Sequence, residues 1–175
     1  ASARAGNVIG GGDWSKDRII PDSIESLKGK TPLKIRNPNA IRPWQHVLDC
    51  ISGYLALGEM LLKKKHEFSG AWNFGPNPGE ERDVESLLTC LKKHIKIPDW
   101  ELDEQTSLHE ASLLQLDCSK AKRDLSWSPV WSFDEAVEHS ANWYESFLDN
   151  QEILSKRQIC RYIDDAKVKK LDWVS

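Results

Sequence analysis

Arg4-Ala5-Gly6-Asn7-Val8-Ile9-Gly10-Gly11-Gly12-Asp13-Trp14, near the start of the 175-residue chain, is the stretch on which the fold depends. The short apolar step Val8-Ile9 reads as the end of a strand, and three successive glycines let the backbone turn tightly and come close to a ligand. A strand ending in a flexible glycine turn, with no ligand, is the plainer alternative. The stretch alone does not separate the two.

Working outward, Ile20, Ile24 and Leu27 share one helical face, and Gly29 is placed as the stop. Leu33-Lys34-Ile35-Arg36 is extended, and Asn37-Pro38-Asn39 is turn chemistry. From Val47 or Leu48 to Lys65, the spacing of Leu48, Ile51, Leu55 and Leu62 predicts a helix buried along that face, with Tyr54 and Leu61 beside it. Lys63-Lys64-Lys65 in its last turn complements the helix dipole, with a phosphate site as the alternative. Ala71-Trp72-Asn73-Phe74 reads as a strand closing at Gly75-Pro76. Asp83 is a good N-cap for a helix carrying Val84, Leu87, Leu88, Leu91 and Ile95 inward. Short strands at 100–102 and 114–116 flank a His109-Glu110 loop, and a short helix opens at Ser119. Ser132-x-x-Glu135 is a capping box for a helix that turns Phe133, Ala136, Val137, Ala141, Tyr144 and Leu148 inward. Beyond Asn150 the chain is charged, and a weaker helix near 151–165 is expected to fade into a frayed tail. The alternation of helices and short strands makes the fold class α/β.

Twenty-four basic and 27 acidic residues give a net charge of -3 with no dominant block. This disfavours nucleic acid as a partner, because phosphate binding needs concentrated positive charge. No apolar run approaches the length of a membrane span. The chain begins Ala1-Ser2-Ala3, without initiator Met or basic leader, and a cytoplasmic setting is expected. Cys50, Cys90, Cys118 and Cys160 are isolated, which fits free thiols better than disulfides or zinc.

Four ordered motifs accompany the opening stretch: Arg42-Pro43-Trp44-Gln45-His46-Val47, Trp72-Asn73-Phe74-Gly75-Pro76, His109-Glu110-Ala111, and Leu116-Asp117. Over residues 3 to 148 the chain resembles the C-terminal half of extended short-chain dehydrogenases/reductases that act on nucleotide sugars. The first two motifs point to the branch of the CDP-glucose 4,6-dehydratases, lyases of deoxysugar synthesis for surface polysaccharides. The resemblance implies the last strands of a Rossmann-type sheet in 1–14, a small sugar-nucleotide-binding domain in 15–150 and a charged tail in 151–175. NAD is the family cofactor and CDP-glucose the implied substrate. Relatives are commonly homodimers, but this sequence does not decide the oligomeric state.

The catalytic Tyr-x-x-x-Lys is absent: residues Gly58, Leu148 and Ala166 stand four after Tyr54, Tyr144 and Tyr162. Gly6-x-x-x-Gly10-Gly11-Gly12 is also not the dinucleotide-binding Gly-x-x-Gly-x-x-Gly. The catalytic and cofactor half is therefore expected upstream of Ala1, and the chain alone is expected to be inactive. No catalytic residue and no metal site is assigned.

By the resemblance, Asn7 hydrogen-bonds the sugar nucleotide near its diphosphate; a turn-capping Asn is the alternative. Arg42 grips the diphosphate with a planar fork, or is a solvated surface charge. Arg18 and Ile19 pass the nucleotide, while Lys34, Ile35 and Arg36 lie beside the base or form only an edge strand. Asn73 reaches the nucleotide or is a structural amide, and Glu110 meets a ribose hydroxyl or the cytidine amino group. Trp44 fills the core behind Arg42 or stacks on cytosine, and His46 orders the following helix start through a hydrogen bond. The rival readings are a dTDP- or UDP-sugar dehydratase or epimerase, and a non-catalytic interaction module.

Overall fold

The computed structural model describes residues 1–29, 31–103 and 111–174. Its elements are β1 (Ser2–Ala5), β2 (Asn7–Ile9), α1 (Ile19–Gly29), β3 (Leu33–Ile35), β4 (Ile41–Arg42), β5 (Trp44–His46) and α2 (Val47–Leu62), followed by β6 (Ala71–Phe74), β7 (Arg82–Asp83), α3 (Val84–Leu91), β8 (Trp100–Leu102), α4 (Ser119–Asp124), α5 (Phe133–Asn150) and α6 (Ser155–Val168).

The opening stretch is extended but changes partner at Gly6. β1 pairs in parallel with β6, and β2 in parallel with β5. Gly6 N–H donates to Phe74 O at 3.1 Å and Asn7 N–H to Pro43 O at 2.8 Å. A Cβ on Gly6 would lie 2.2 Å from Pro43 O, so the crossing point has no room for a side chain. β3 pairs in parallel with β8, and β4 antiparallel with β7. Parallel pairs need long crossovers, and α2 supplies the one from β5 to β6.

The main core joins Ile20 and Ile24 of α1, Leu87, Leu88 and Leu91 of α3, and Val137, Ala141 and Tyr144 of α5, closing over Ile9, Ile35 and Trp44. Asp83 caps α3 by accepting from Ser86 N–H, and Ser132 with Glu135 forms the reciprocal capping box of α5. A second cluster packs Leu57, Trp72, Phe74, Ala121 and Trp127.

Three expectations are corrected. The face of α2 expected inside is largely outside: Leu55 is 68 % and Leu62 85 % exposed, and Ile51 and Tyr54 are exposed as well. Cys50, Gly53 and Leu57 turn inward instead. Gly53 decides this, because a Cβ there would sit 2.3 Å from the Phe74 ring. Only the glycine face of the helix can come down onto β6.

The frayed tail is also absent. α6 runs a full 14 residues, and Tyr162 and Ala166 pack with Val130 and Trp131 in a third cluster, joined by Leu171 and Val174. Its charges lie on the outer face of an amphipathic helix, and this misled the reading of composition. No strand forms at 114–116; Leu113 makes a single bridge to Ile41.

Candidate functional site

A cavity of about 940 Å³ opens at the carboxyl end of β2 and gathers six of the eight predicted site residues: Asn7, Arg18, Ile19, Ile35, Arg36 and Arg42. One wall is the Gly6-to-Gly10 backbone. The opposite walls are the start of α1, through Arg18 and Ile19, and β3, through Lys34, Ile35 and Arg36. Crevices outside the carboxyl ends of parallel strands are where α/β folds bind ligands.

Arg42 is 6 % exposed, and its Nη1 donates to Ile41 O at 2.9 Å. The guanidinium is thereby anchored at the cavity wall by its own strand. Trp44, next but one, is buried in the main core and donates its indole N–H to Arg82 O at 2.9 Å. It also lines the cavity. His46 is buried at the N-cap of α2, where Nδ1 accepts from Leu48 N–H at 3.2 Å. Burial, aided by His139 nearby, pushes its pKa down to about 3, so the ring is a neutral structural acceptor.

β3 presents an edge to the cavity. Leu33 N–H donates to Asp99 O and Asp103 N–H to Ile35 O, so the peptide groups of residues 33 and 35 face β8. Along a strand these groups alternate, so the N–H and C=O of Lys34 face the other way. They form a donor and acceptor pair able to read the edge of a planar base.

Carboxylates are the part of the site that the sequence reading missed. Asp13, Asp17, Asp22 and Asp103 share the lining with the cations. Arg18 Nε lies 3.7 Å from Asp13 Oδ2. Partial burial works against ionisation of Asp13, but the bonds from Ser15 and the charge of Arg18 outweigh it and hold the pKa below the ordinary value. Desolvation and the neighbouring Asp17 push Asp22 up. Asp13 was inside the opening stretch; the others carry no local signal, because only the fold brings them to one cavity.

The glycine run serves packing as well as the cavity. A Cβ on Gly11 would lie 2.0 Å from the Trp143 ring, so this glycine makes room for α5. Tyr144 O–H donates to Asp13 O at 2.6 Å and ties down the same loop. Gly10 lines the cavity, while the space a Cβ would take at Gly11 and Gly12 is filled by Trp143, so this turn offers a dinucleotide no cradle. Asn73 lies away from the cavity, its Nδ2 donating to Asp117 O at 3.0 Å. Glu110 lies outside the described residues, as does His109. The four cysteines are free thiols. Among the described residues no group of side chains could hold a metal ion, and no helix is long and apolar enough to cross a membrane.

No family model matches the chain. It is 42% identical over 169 residues to a CDP-glucose 4,6-dehydratase of Salmonella typhimurium, covering 93% of this chain and 46% of that protein. The chain thus spans about half the length of the curated relative it matches. Its fold is that of nucleotide-sugar epimerases and dehydratases. The UDP-glucuronic acid 4-epimerase of Bacillus cereus, solved with UDP-glucuronic acid and NAD, superposes with a TM-score of 0.69 at 21% identity, over 83% of this chain and 45% of the epimerase. The dTDP-glucose 4,6-dehydratase of Bacillus anthracis, solved with NAD, gives 0.66 at 19% identity, over 85% of this chain and 44% of the dehydratase.

Proposed function

We propose that this chain is the substrate-holding half of an NAD-dependent CDP-glucose 4,6-dehydratase, which converts CDP-glucose to CDP-4-keto-6-deoxyglucose and water. The observation that carries the reading is the convergence of Asn7, Arg18, Ile19, Ile35, Arg36 and Arg42 on one cavity. Arg42 takes the diphosphate through charge-assisted hydrogen bonds, and the Asn7 amide donates beside it. The pyrimidine lies between Ile19 and Ile35, with its edge against the peptide groups of Lys34. Asn73 is a structural amide, bonded to Asp117 O outside the cavity, and a ribose hydroxyl or the cytidine amino group is the partner proposed for Glu110.

The half that binds NAD and carries the catalytic tyrosine and lysine precedes Ala1 in the longer protein, and this chain by itself turns nothing over. The match to 46% of the relative supports this division. Four free thiols suit a reducing compartment, and we place the activity in the cytoplasm, in deoxysugar synthesis.

Titration calorimetry of the chain with CDP-glucose, UDP-glucose and dTDP-glucose tests the assignment. Preference for CDP-glucose, lost in Arg42→Ala, is the expected result. Equal or stronger binding of UDP- or dTDP-glucose would transfer the site to another branch of the same group.

A further inference from the structure

The carboxylate of Asp13 is fixed from three sides. Its Oδ1 accepts from Ser15 N–H at 2.9 Å, and the carbonyl of the same residue accepts from Tyr144 O–H at 2.6 Å. The turn before it is pressed onto α5, where a Cβ on Gly12 would lie 3.2 Å from the Trp143 ring. Oδ2 is the oxygen turned to Arg18, whose Nε lies 3.7 Å away. Arg18 is held far less firmly. Its side chain is 59% exposed, and 3.7 Å is an ion-pair distance beyond hydrogen-bond range. Asp17, with a left-handed φ of 62°, turns the chain between the two partners. Both Asp13 and Arg18 line the cavity.

We propose that Asp13 is a built-in competitor for the ligand: its carboxylate holds Arg18 in the free protein, and a diphosphate takes the guanidinium from it. This deepens the reading of the cavity as a sugar-nucleotide site and rests on it. A carboxylate and a phosphate oxygen ask the same of a guanidinium, namely charge-assisted hydrogen bonds along its planar fork. The pair with Asp13 is too long to make one, and exposed pairs of this kind contribute little. An oxyanion arriving at hydrogen-bond distance therefore wins Arg18. Asp13 cannot follow, because Ser15, Tyr144 and the packed turn keep it in place. Its Oδ2 is then left facing an anion without a counter-charge. Affinity is thereby set below what the cations of the cavity alone would give, which favours release of the nucleotide.

Asp13→Asn keeps an acceptor for Ser15 N–H and removes the charge. Titration calorimetry of the chain with CDP-glucose and with inorganic pyrophosphate is expected to show binding about three- to fivefold tighter in this variant, with circular dichroism unchanged. In an Arg18→Gln background the same substitution is expected to gain less than about 1.5-fold, because the contested group is gone. Unchanged or weaker binding in Asp13→Asn would overturn the inference, since the carboxylate would then play no part or would place Arg18 for the ligand. An equal gain with and without Arg18 would overturn it as well, leaving only a repulsive field. So would the absence of pyrophosphate binding by Asp13→Asn at millimolar concentration. Pyrophosphate behaving as expected while CDP-glucose fails to bind would uphold the exchange and refute the proposed substrate. Arg42-dependent binding of CDP-glucose that Asp13→Asn leaves unchanged would do the reverse.

Discussion

The cavity and the seam between α2, α5 and α6 lie on the same scaffold and are built in opposite ways. In the seam, most polar groups are paired within the chain, with Asp49 Oδ2 and His46 Nε2 buried outside the network. Trp127 Nε1 donates to Ser52 Oγ at 3.0 Å, Trp131 Nε1 to Asp165 Oδ2 at 2.9 Å, and Gln158 Nε2 to His139 O at 2.6 Å. Tyr162 O–H and Val130 N–H both converge on Asp49 Oδ1, at 2.7 and 2.6 Å. The cavity instead is walled by a strand edge, by exposed Arg18, Lys34 and Arg36, and by carboxylates of Asp13, Asp17, Asp22 and Asp103. A buried polar group left unpaired is costly, so a finished seam holds shape. A wall of solvated donors and acceptors can exchange its water for a ligand.

The largest expected effect that sharpens this contrast is at Arg42. Arg42→Ala should weaken binding of CDP-glucose roughly 10- to 150-fold, the worth of a charge-assisted hydrogen bond, as read by calorimetry with circular dichroism unchanged. In the seam, Tyr162→Phe should do the reverse, lowering stability in urea by about 1–3 kcal/mol and leaving affinity within twofold. A drop in affinity as large as that of Arg42→Ala would erase the division between the two regions.

The seam should also set a pH dependence. Burial pushes the Asp49 pKa from 3.8 up to about 7, against the lowering effect of its bonds from Tyr162 and Val130. Between these two values the folded state keeps a proton that the unfolded chain releases, so the contribution of Asp49 to stability is greatest at the acidic end and falls as pH rises towards about 7, against an opposite contribution from His46, which burial keeps neutral. Asp49→Asn should flatten that slope, measured as urea midpoints at pH 4.5 and 7.5; an unchanged slope would assign it to other groups. The smallest effect is predicted for Lys34→Ala, which should change CDP-glucose affinity less than about threefold if the base docks on the peptide groups. A loss near that of Arg42→Ala would mean that the ammonium group makes the contact.

Local chemistry was legible wherever one residue answers one backbone need. Asp83, Ser132 with Glu135, and His46 each cap the helix that the sequence assigns to them. The inward face of α2 was not legible, because apolar spacing finds a stripe but cannot tell which stripe the protein covers. Gly53 lets Phe74 approach and fixes the rotation of the helix. Arg42 was legible from its motif, and Arg18, Lys34 and Arg36 only from the looser resemblance around them. Asp103 and Asp22 were not, since they reach the site through β8 and α1 from elsewhere in the chain. The packing use of Gly11 was hidden for the same reason: its neighbour Trp143 is more than 130 residues away, and only the tertiary fold shows what the space is for.

The ladders carry a consequence for time. Ser2 pairs with Ala71, Asn7 with Trp44, Leu33 with Trp100 and Ile41 with Asp83, so among the described residues no ladder joins strands adjacent in sequence. Each pairing must close a long loop before it returns any stabilisation, and folding rates fall as such contacts dominate. The helices can form early, since their hydrogen bonds are local, but β1 stays unpaired with β6 until some 70 residues have followed it from the ribosome. Within the stretch that decides the architecture, β1 therefore waits longest for its partner, whereas β2 meets the nearer β5 first.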